Sequence, residues 1–195
     1  MMTLCLYGGA FDPVHNGHIH FVERITDTYK PDALFFIPTC YSPFKDKTKY
    51  ASDEHRLNML TIASKNIPNS HISTIEIDRK GISYTLDTLK TFHDLYPGHR
   101  ILWVIGDDHL ETLKRWKGYP EHFRYCDFIV LPRTKSDLKE RVEAHPYSSQ
   151  IHILDAAELI VSSTEIREAR KEKRSILSYV PDEINDYICT NKLYR

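Results

Sequence analysis

Two histidines near the start of the chain are the first residues whose types and spacing could do chemistry. His15 and His18 are three residues apart and follow the pair Gly8 and Gly9, which ends an apolar run. At the first turn of a helix, residues three apart share a face, and the unpaired backbone N–H groups carry partial positive charge. Glycines also let a ligand approach the backbone closely. The segment therefore predicts a phosphate-binding site, while His20 should point elsewhere.

A second segment of the same kind lies near the other end of the chain. The hydroxyl residues Ser162, Ser163 and Thr164 precede a helical pattern, and Arg167 follows one turn later. Small hydroxyl residues favour the N-cap of a helix, and a guanidinium group binds phosphate through paired donors. This segment therefore predicts further phosphate ligands. The basic residues after it, from Arg170 to Arg174, are more typical of a solvated face.

Six short apolar runs alternate with stretches of helical spacing. The runs cover residues 3–7, 33–37, 72–77, 101–105, 128–131 and 150–154. This alternation predicts an α/β fold: a Rossmann-like, doubly wound parallel sheet with helices on both faces. We expect one domain over residues 1–195, with a helical C-terminal end from about residue 162. Ligands of such sheets bind outside the carboxyl ends of the strands, where the two segments above lie.

Three helical faces are predicted from apolar spacing. They are Ile19, Val22, Ile25 and Tyr29; Leu57, Leu60 and Ala63; and Leu86, Leu89, Phe92 and Leu95.

Composition narrows the class of protein. Lys and Arg number 26 against 27 Asp and Glu, so the chain lacks the basic excess typical of a nucleic-acid binder. Its apolar runs are too short to cross a bilayer, and its first residues do not resemble a secretory leader. The four cysteines form no closely spaced pair, which favours reduced, buried thiols over a zinc site. We expect a cytoplasmic protein without nucleic-acid or membrane partners and without a protein-built metal site.

The two phosphate segments resemble the paired motifs of a known superfamily. Residues 8–18 match the GGxFDPxHxGH signature of the nucleotidyltransferases in full, and residues 161–167 resemble their ISSTxIR element. The HxGH core is also similar to the HIGH element of class I aminoacyl-tRNA synthetases. The resemblance implies that His15 and His18 contact ATP phosphates and stabilise the charge of the transition state. ATP-binding roles carry over to Gly8, Gly9, Phe11, Ser162, Ser163 and Thr164.

Two middle segments resemble one branch, the nicotinate-nucleotide adenylyltransferases. Residues 79–89 look like its R-x-G-x-S-Y-T-x-D-T-L pattern, which implies that Tyr84 and Thr85 lie beside the nicotinate ring. Residues 106–108 resemble its G-x-D pattern, which assigns Gly106 and Asp108 to the nucleotide and leaves Asp107 as a helix cap. The tryptophan that follows in this branch corresponds to Trp116, whose flat face suits stacking on a pyridine ring.

One segment departs from the branch. Where the branch has Pro-Pro-His-Lys, this chain has Ser42, Pro43, Phe44 and Lys45. The lysine is kept, and we expect Lys45 to reach the triphosphate as a catalytic cation. The histidine is replaced by Phe44. Arg56, in a further branch-like element, is expected either to be structural or to support the residues that contact the ligand.

The resemblance implies transfer of the adenylyl group of ATP to nicotinate mononucleotide, with Mg²⁺ bound to ATP. It places His18 at the α-phosphate, His15 along the phosphate chain, and Lys45 and Arg167 at the leaving pyrophosphate. Two alternatives stay open. One is another acceptor: nicotinamide mononucleotide, or pantetheine phosphate, which residues 83–85 and Trp116 disfavour. The other is a nucleotide sensor without turnover, which Phe44 favours and the intact His15, His18 and Arg167 disfavour. The sequence does not indicate an oligomeric state.

Overall fold

The structure, a computed structural model, describes residues 1–43, 51–132, 137–157 and 161–195. Its centre is a six-stranded parallel sheet with the strand order β3-β2-β1-β4-β5-β6. The strands are β1 (Thr3–Gly9), β2 (Ala33–Pro38), β3 (Ser70–Ile72), β4 (Arg100–Gly106), β5 (Asp127–Leu131) and β6 (Ile151–Ile153). From β1, the sheet grows in one direction through β2 and β3 and in the opposite direction through β4, β5 and β6. The point between β1 and β4, where the direction changes, is the switch point of a Rossmann-like sheet. The predicted fold class is therefore confirmed.

Helices connect and cover these strands. They are α1 (Asn16–Tyr29), α2 (Asp53–Ser64), α3 (Ile75–Arg79), α4 (Thr85–Leu95), α5 (Asp107–Thr112), α6 (Leu138–Glu143), α7 (Ser163–Lys171) and α8 (Asp182–Thr190). Short 3₁₀ turns occur at Leu113–Arg115, Glu121–Arg124 and Ser148–Gln150. No helix in the described part of the chain is long and apolar enough to cross a membrane.

Both faces of the sheet are buried, which explains why the strands are continuously apolar. Alternate residues of β1 point to opposite faces. Cys5 and Tyr7 belong to one core cluster, together with residues of α1, α7 and α8. Leu4 and Leu6 belong to a second cluster, together with residues of α4 and α6. Helices therefore cover the two faces, as a doubly wound sheet requires.

The predicted helical faces are partly right. In α1 the buried side chains include Phe21, Val22 and Ile25, close to the predicted face. In α2 the buried face is made by Arg56, Met59 and Leu60, so the predicted face is rotated by about one residue. Leu95 is 62% exposed because α4 ends there.

The strand predicted over residues 72–77 is wrong. β3 ends at Ile72, and α3 begins at Ile75. Thr74 donates a hydrogen bond from its hydroxyl to the Asp78 carboxylate at 2.6 Å, which fits a helical turn. Glu76 is buried, and its Oε1 accepts a hydrogen bond of 2.7 Å from the Thr88 hydroxyl, which partly satisfies the buried carboxyl group.

The helical C-terminal end is confirmed. Ile166 of α7 and Ile184 and Ile188 of α8 are buried in the same core cluster as β1. The backbone N–H of Asn16, the first residue of α1, donates to the Tyr179 carbonyl at 2.8 Å. The end of the chain thus packs against the beginning of α1, which carries the predicted phosphate site.

Candidate active site

A cavity of about 600 Å³ opens at the carboxyl ends of β1 and β4, the switch point of the sheet. Every predicted site residue in the described part of the chain lines it. These are Gly8, Gly9, Phe11, His15, His18, Tyr84, Thr85, Gly106, Asp108, Trp116, Ser162, Ser163, Thr164 and Arg167. Ser42 and Pro43 also line it, whereas Phe44 and Lys45 lie outside the described residues. Segments 150 residues apart therefore meet in one site.

His15 and His18 form a single stacked unit at the start of α1. His15 is the N-cap residue, with an extended backbone at φ −146°, and His18 is the third helical residue. The ring centroids lie 3.7 Å apart with 31° between the planes, and the residues are only 5% and 8% exposed. This burial fixes both rings before any ligand binds.

The backbone determines which nitrogen of His18 can act as a donor. The His15 N–H donates to Nδ1 of His18 at 3.2 Å. Because Nδ1 accepts this hydrogen bond, neutral His18 carries its proton on Nε2. His18 therefore provides an N–H donor from the ring edge opposite the backbone. Such a donor suits the oxygen of a phosphate.

Gly17 lies beside the His15 ring, where even a methyl side chain would crowd the ring. A β-carbon there would lie 3.1 Å from Nδ1 of His15 and 3.2 Å from its Cε1. Gly8 is similarly constrained, since a β-carbon would lie 2.8 Å from Cζ2 of Trp103. The glycines of the first motif thus allow close packing around the two rings.

The buried side chain of Arg56 hydrogen-bonds the loop that precedes α1. Its Nη1 donates to the Ala10 carbonyl at 2.6 Å, and its Nη2 donates to the Thr39 carbonyl at 2.8 Å. These bonds connect the loops that follow β1 and β2. Arg56 is not among the residues that line the cavity, and its bonds to the two loops explain why a buried arginine occupies the apolar face of α2.

Side chains of the second motif, residues 161–167, donate hydrogen bonds to the backbone of the first motif, residues 8–18. Ser162 is the N-cap of α7 and accepts from a backbone N–H at 3.2 Å. The Ser163 hydroxyl donates to the Pro13 carbonyl at 2.9 Å, and Nη1 of Arg167 donates to the Asp12 carbonyl at 2.8 Å. The two phosphate segments therefore support each other through direct contacts. The N-terminus of α7 faces the same cavity as that of α1.

A third helix N-terminus, that of α4, also lines the cavity. Tyr84 is its N-cap and Thr85 its first residue. Nζ of Lys117 lies 4.3 Å from the centroid of the Tyr84 ring, and it also pairs with Asp87 at 3.0 Å. The free N–H groups of this first turn favour an anion.

Trp116 also lines the cavity, next in the chain to Lys117. Its ring makes edge contacts with His122 at 5.7 Å and with His109 at 5.8 Å between centroids. The tryptophan is half-buried and its neighbours hold the ring in place. An aromatic face that lines a cavity in this way can stack on a planar ring.

The sequence prediction for Asp107 is wrong. The N-cap of α5 is Gly106, whose backbone is extended (φ −75°, ψ 156°), and Asp107 is already helical and fully buried. Asp108, the next residue, has a side chain that is 55% exposed and lines the cavity. Of the two carboxylates, that of Asp108 faces the cavity, and its predicted contact with a ribose stays a prediction.

The cavity is also lined by residues that the sequence did not predict, and two of them, Glu76 and His122, are titratable and buried. Burial raises the pKa of Glu76, an effect that the hydrogen bond from Thr88 partly offsets. Burial also lowers the pKa of His122 to about 4, so this imidazole is neutral at physiological pH. Neither residue belongs to a recognisable motif. Glu76 alternates with isoleucines in a run that resembles a strand, which indicates exposure rather than burial.

The fold and the site together define the class of protein. The cytidylyltransferase-like family matches residues 6–169, which include both phosphate motifs. The chain therefore belongs to the cytidylyltransferase-like family, and within it to the nicotinate-nucleotide adenylyltransferases.

Full-length relatives support the second step of this assignment. A probable nicotinate-nucleotide adenylyltransferase of Methylacidiphilum infernorum is 32% identical over 98% of this chain and 91% of its own length. One of Clostridium botulinum (strain Kyoto / Type A2) is 33% identical over the whole of both chains. Among solved structures, the nicotinic acid mononucleotide adenylyltransferase of Plasmodium falciparum complexed with NaAD has a TM-score of 0.84 at 22% identity. It covers 100% of this chain and 98% of its own. At that identity, the structural likeness supports the fold.

Proposed function

We propose that this protein transfers the adenylyl group of ATP to nicotinate mononucleotide, giving nicotinate adenine dinucleotide and pyrophosphate. The observation that carries the proposal is one cavity that brings two groups of residues together. The stacked histidines with the first residues of α1 and α7 form the group that we assign to the phosphates, called the phosphate end, and the first residues of α4 with Trp116 form the group that we assign to the acceptor, called the acceptor end. The relatives named above support the choice of substrates.

The chemistry needs no general base. A phosphate oxygen of nicotinate mononucleotide attacks the α-phosphorus of ATP. The bond from that phosphorus to the bridging oxygen breaks, and pyrophosphate leaves with the electron pair. The attacking oxygen is already ionised at neutral pH, so no proton has to be removed. Catalysis then consists of positioning the two substrates and stabilising the charge that develops on the phosphates.

The phosphate end supplies the catalytic donors. Nε2 of His18 donates to the α-phosphate and the bridging oxygen, while His15 binds along the phosphate chain. Arg167 stabilises the leaving pyrophosphate, and the predicted role of Lys45 is the same. The N-terminus of α7, with Ser162, adds backbone donors for the phosphates. Mg²⁺ enters as part of the MgATP substrate, because this ion is usually held through substrate phosphates rather than by a dedicated protein cage.

The acceptor end favours an acid over an amide. The pyridine ring stacks on Trp116, and its carboxylate meets the N–H groups of Thr85 and the first turn of α4. A helix N-terminus stabilises an anion by about 0.3–1 kcal/mol, and by up to about 2 kcal/mol when partly buried. Asp87 in that turn opposes an anion, but Lys117 pairs with it at 3.0 Å. Nicotinate is therefore preferred over the neutral nicotinamide.

Pyrophosphate release with different acceptors tests this proposal. The protein is incubated with MgATP and, separately, with nicotinate mononucleotide, nicotinamide mononucleotide and pantetheine phosphate. We expect fast release with the nicotinate substrate and at least several-fold slower release with the amide. Release mainly with another acceptor would contradict the choice of substrate. A folded protein that binds ATP but releases no pyrophosphate with any acceptor would support a sensor instead.

A further inference from the structure

A buried carboxylate lies in the loop that carries the two histidines. Asp12 precedes His15 by three residues and is only 5% exposed. Its Oδ1 accepts a hydrogen bond of 2.6 Å from the hydroxyl of Tyr194, a residue 182 positions later in the chain. The backbone carbonyl of Asp12 accepts from Nη1 of Arg167 at 2.8 Å. Asp12 therefore joins the first motif to two distant parts of the chain.

Tyr194 is well placed to hold this carboxylate. It is buried in the same core cluster as Phe11 and Val14, which flank Asp12 in the loop. Burial raises the pKa of Tyr194, and the nearby carboxylate of Asp12 raises it further. The hydroxyl is therefore protonated at neutral pH and acts as a hydrogen-bond donor. A phenol that donates to a carboxylate makes a charge-assisted bond, which is stronger than a neutral one.

The loop needs such support. Phe11 has a left-handed backbone at φ 48°, a conformation that bulky residues rarely adopt. Strained positions of this kind persist only when the surrounding structure holds them in place. The Phe11 ring lies 5.0 Å from the ring of His18, so a change in this loop reaches the histidine pair directly.

We propose that Tyr194 is a positioning residue for adenylyl transfer, whose hydroxyl anchors Asp12 and so fixes the rings of His15 and His18. This inference rests on the proposed function above. Without the hydroxyl, Asp12 loses the short hydrogen bond that ties its loop to the C-terminal residues. A charge-assisted bond to a buried carboxylate is among the stronger hydrogen bonds, so its loss leaves the loop less firmly held. The histidines then depart from the geometry in which they meet the phosphates.

Tyr194→Phe tests the proposal, with Tyr187→Phe as a matched control. The Tyr187 hydroxyl, on α8, hydrogen-bonds Nδ1 of His55 and Nδ2 of Asn58, each at 2.9 Å, and it lies outside the cavity. Each variant loses one hydroxyl in the C-terminal part of the chain. We expect Tyr194→Phe to lower kcat about 10-fold or more, with KM for both substrates within about 3-fold, because a contact needed in the transition state is lost.

The control separates positioning from stability. Tyr187→Phe should keep kcat within about 2-fold of the original protein, even if its Tm falls as much as that of Tyr194→Phe. Both are assayed well below the lower Tm. The proposal is overturned if both variants keep the kcat of the original protein, or if both lose kcat by the same factor.

A second readout does not depend on turnover. The ¹⁵N signals of the imidazoles report which ring nitrogen carries the proton and how each ring is bonded. In Tyr194→Phe we expect the signals of His15 and His18 to shift, while Tyr187→Phe shifts only His55. If the original protein releases no pyrophosphate, the proposed function fails, yet these spectra still test the coupling. Unchanged His15 and His18 signals in Tyr194→Phe would overturn it.

Discussion

Replacement of Gly17 by alanine should slow the reaction without unfolding the protein. A β-carbon at this position would lie 3.1 Å from Nδ1 and 3.2 Å from Cε1 of the His15 ring. Comfortable contacts between such atoms are about 3.5–4.0 Å. The ring must therefore move by roughly 0.5 Å. That shift displaces the stacked pair, because the ring centroids of His15 and His18 are only 3.7 Å apart.

The size of the effect follows from the precision that catalysis requires. A misplacement of about 1 Å can cost about 100-fold in rate, so roughly 0.5 Å should cost on the order of 10-fold in kcat. Stability should change little, because alanine in a helix is favoured over glycine by about 0.5–1 kcal/mol, which offsets the crowding. A lower kcat with a nearly unchanged Tm distinguishes a catalytic loss from a folding defect.

Steady-state pyrophosphate release and thermal unfolding measure the two effects. A His15→Ala background provides the internal control, because the ring that collides with the new methyl group is then absent. Gly17→Ala should have little further effect on the residual rate in that background. An unchanged kcat for Gly17→Ala, or the same fold-loss with and without the His15 ring, would refute the reasoning.

Three further predictions concern Trp116, Arg167 and His122. Trp116→Ala should raise KM for nicotinate mononucleotide by roughly 5- to 150-fold, as expected for about 1–3 kcal/mol of lost stacking. KM for ATP should stay unchanged, and Trp116→Phe should recover part of the lost affinity. Arg167→Lys should lower kcat about 10-fold, because a lysine cannot reproduce the planar guanidinium that bonds Asp12 and Thr164 at once; a normal kcat would remove Arg167 from the mechanism. The pKa of His122 is depressed from 6.5 to about 4 in the folded protein, so the unfolded chain takes up this proton first as pH falls. Stability should therefore fall between pH 6.5 and 4, by an amount on the order of 2 kcal/mol near the lower end of this range. Urea unfolding should show that His122→Leu loses less stability over this range than the original protein, and identical losses would contradict the assignment.

The parts of the site that could be predicted from the sequence are those with local signals. The glycines and histidines of residues 8–18 and the hydroxyl residues 162–164 are motifs whose chemistry follows from their spacing. Parallel strands bring their carboxyl ends to one edge, so these segments meet in one cavity. Continuous apolar strands likewise indicated a sheet covered on both faces. Lys45 stays a prediction, since it lies outside the described residues.

The errors arise where local patterns are ambiguous. Residues 72–77 contain isoleucines alternating with Ser73 and Glu76, which resembles a strand, but the hydroxyl of Thr74 and the buried Glu76 favour a helical turn. Asp107 looked like a helix cap because aspartate favours that position, yet Gly106 takes it. Propensity over so few residues is readily overridden by tertiary contacts.

Other features depend on contacts between distant residues and leave no local signal. The hydrogen bond between Tyr194 and Asp12 joins residues 182 positions apart. The neutral state of His122 results from burial among side chains of several elements, which its sequence neighbours do not indicate. The tautomer of His18 depends on a backbone bond that forms only when His15 caps α1.

Identification of the reaction product, with two histidine variants side by side, tests the central claim most directly. The original protein, His18→Ala and His20→Ala are each given MgATP and nicotinate mononucleotide, and the products are identified by mass. His20 lies on α1 beside Phe21, with 5.5 Å between ring centroids, and does not line the cavity, so its variant controls for changes to the helix. We predict equal amounts of nicotinate adenine dinucleotide and pyrophosphate, a kcat at least about 100-fold lower in His18→Ala, and near-normal turnover in His20→Ala. Near-normal turnover in His18→Ala, or no dinucleotide from the original protein, would contradict the account.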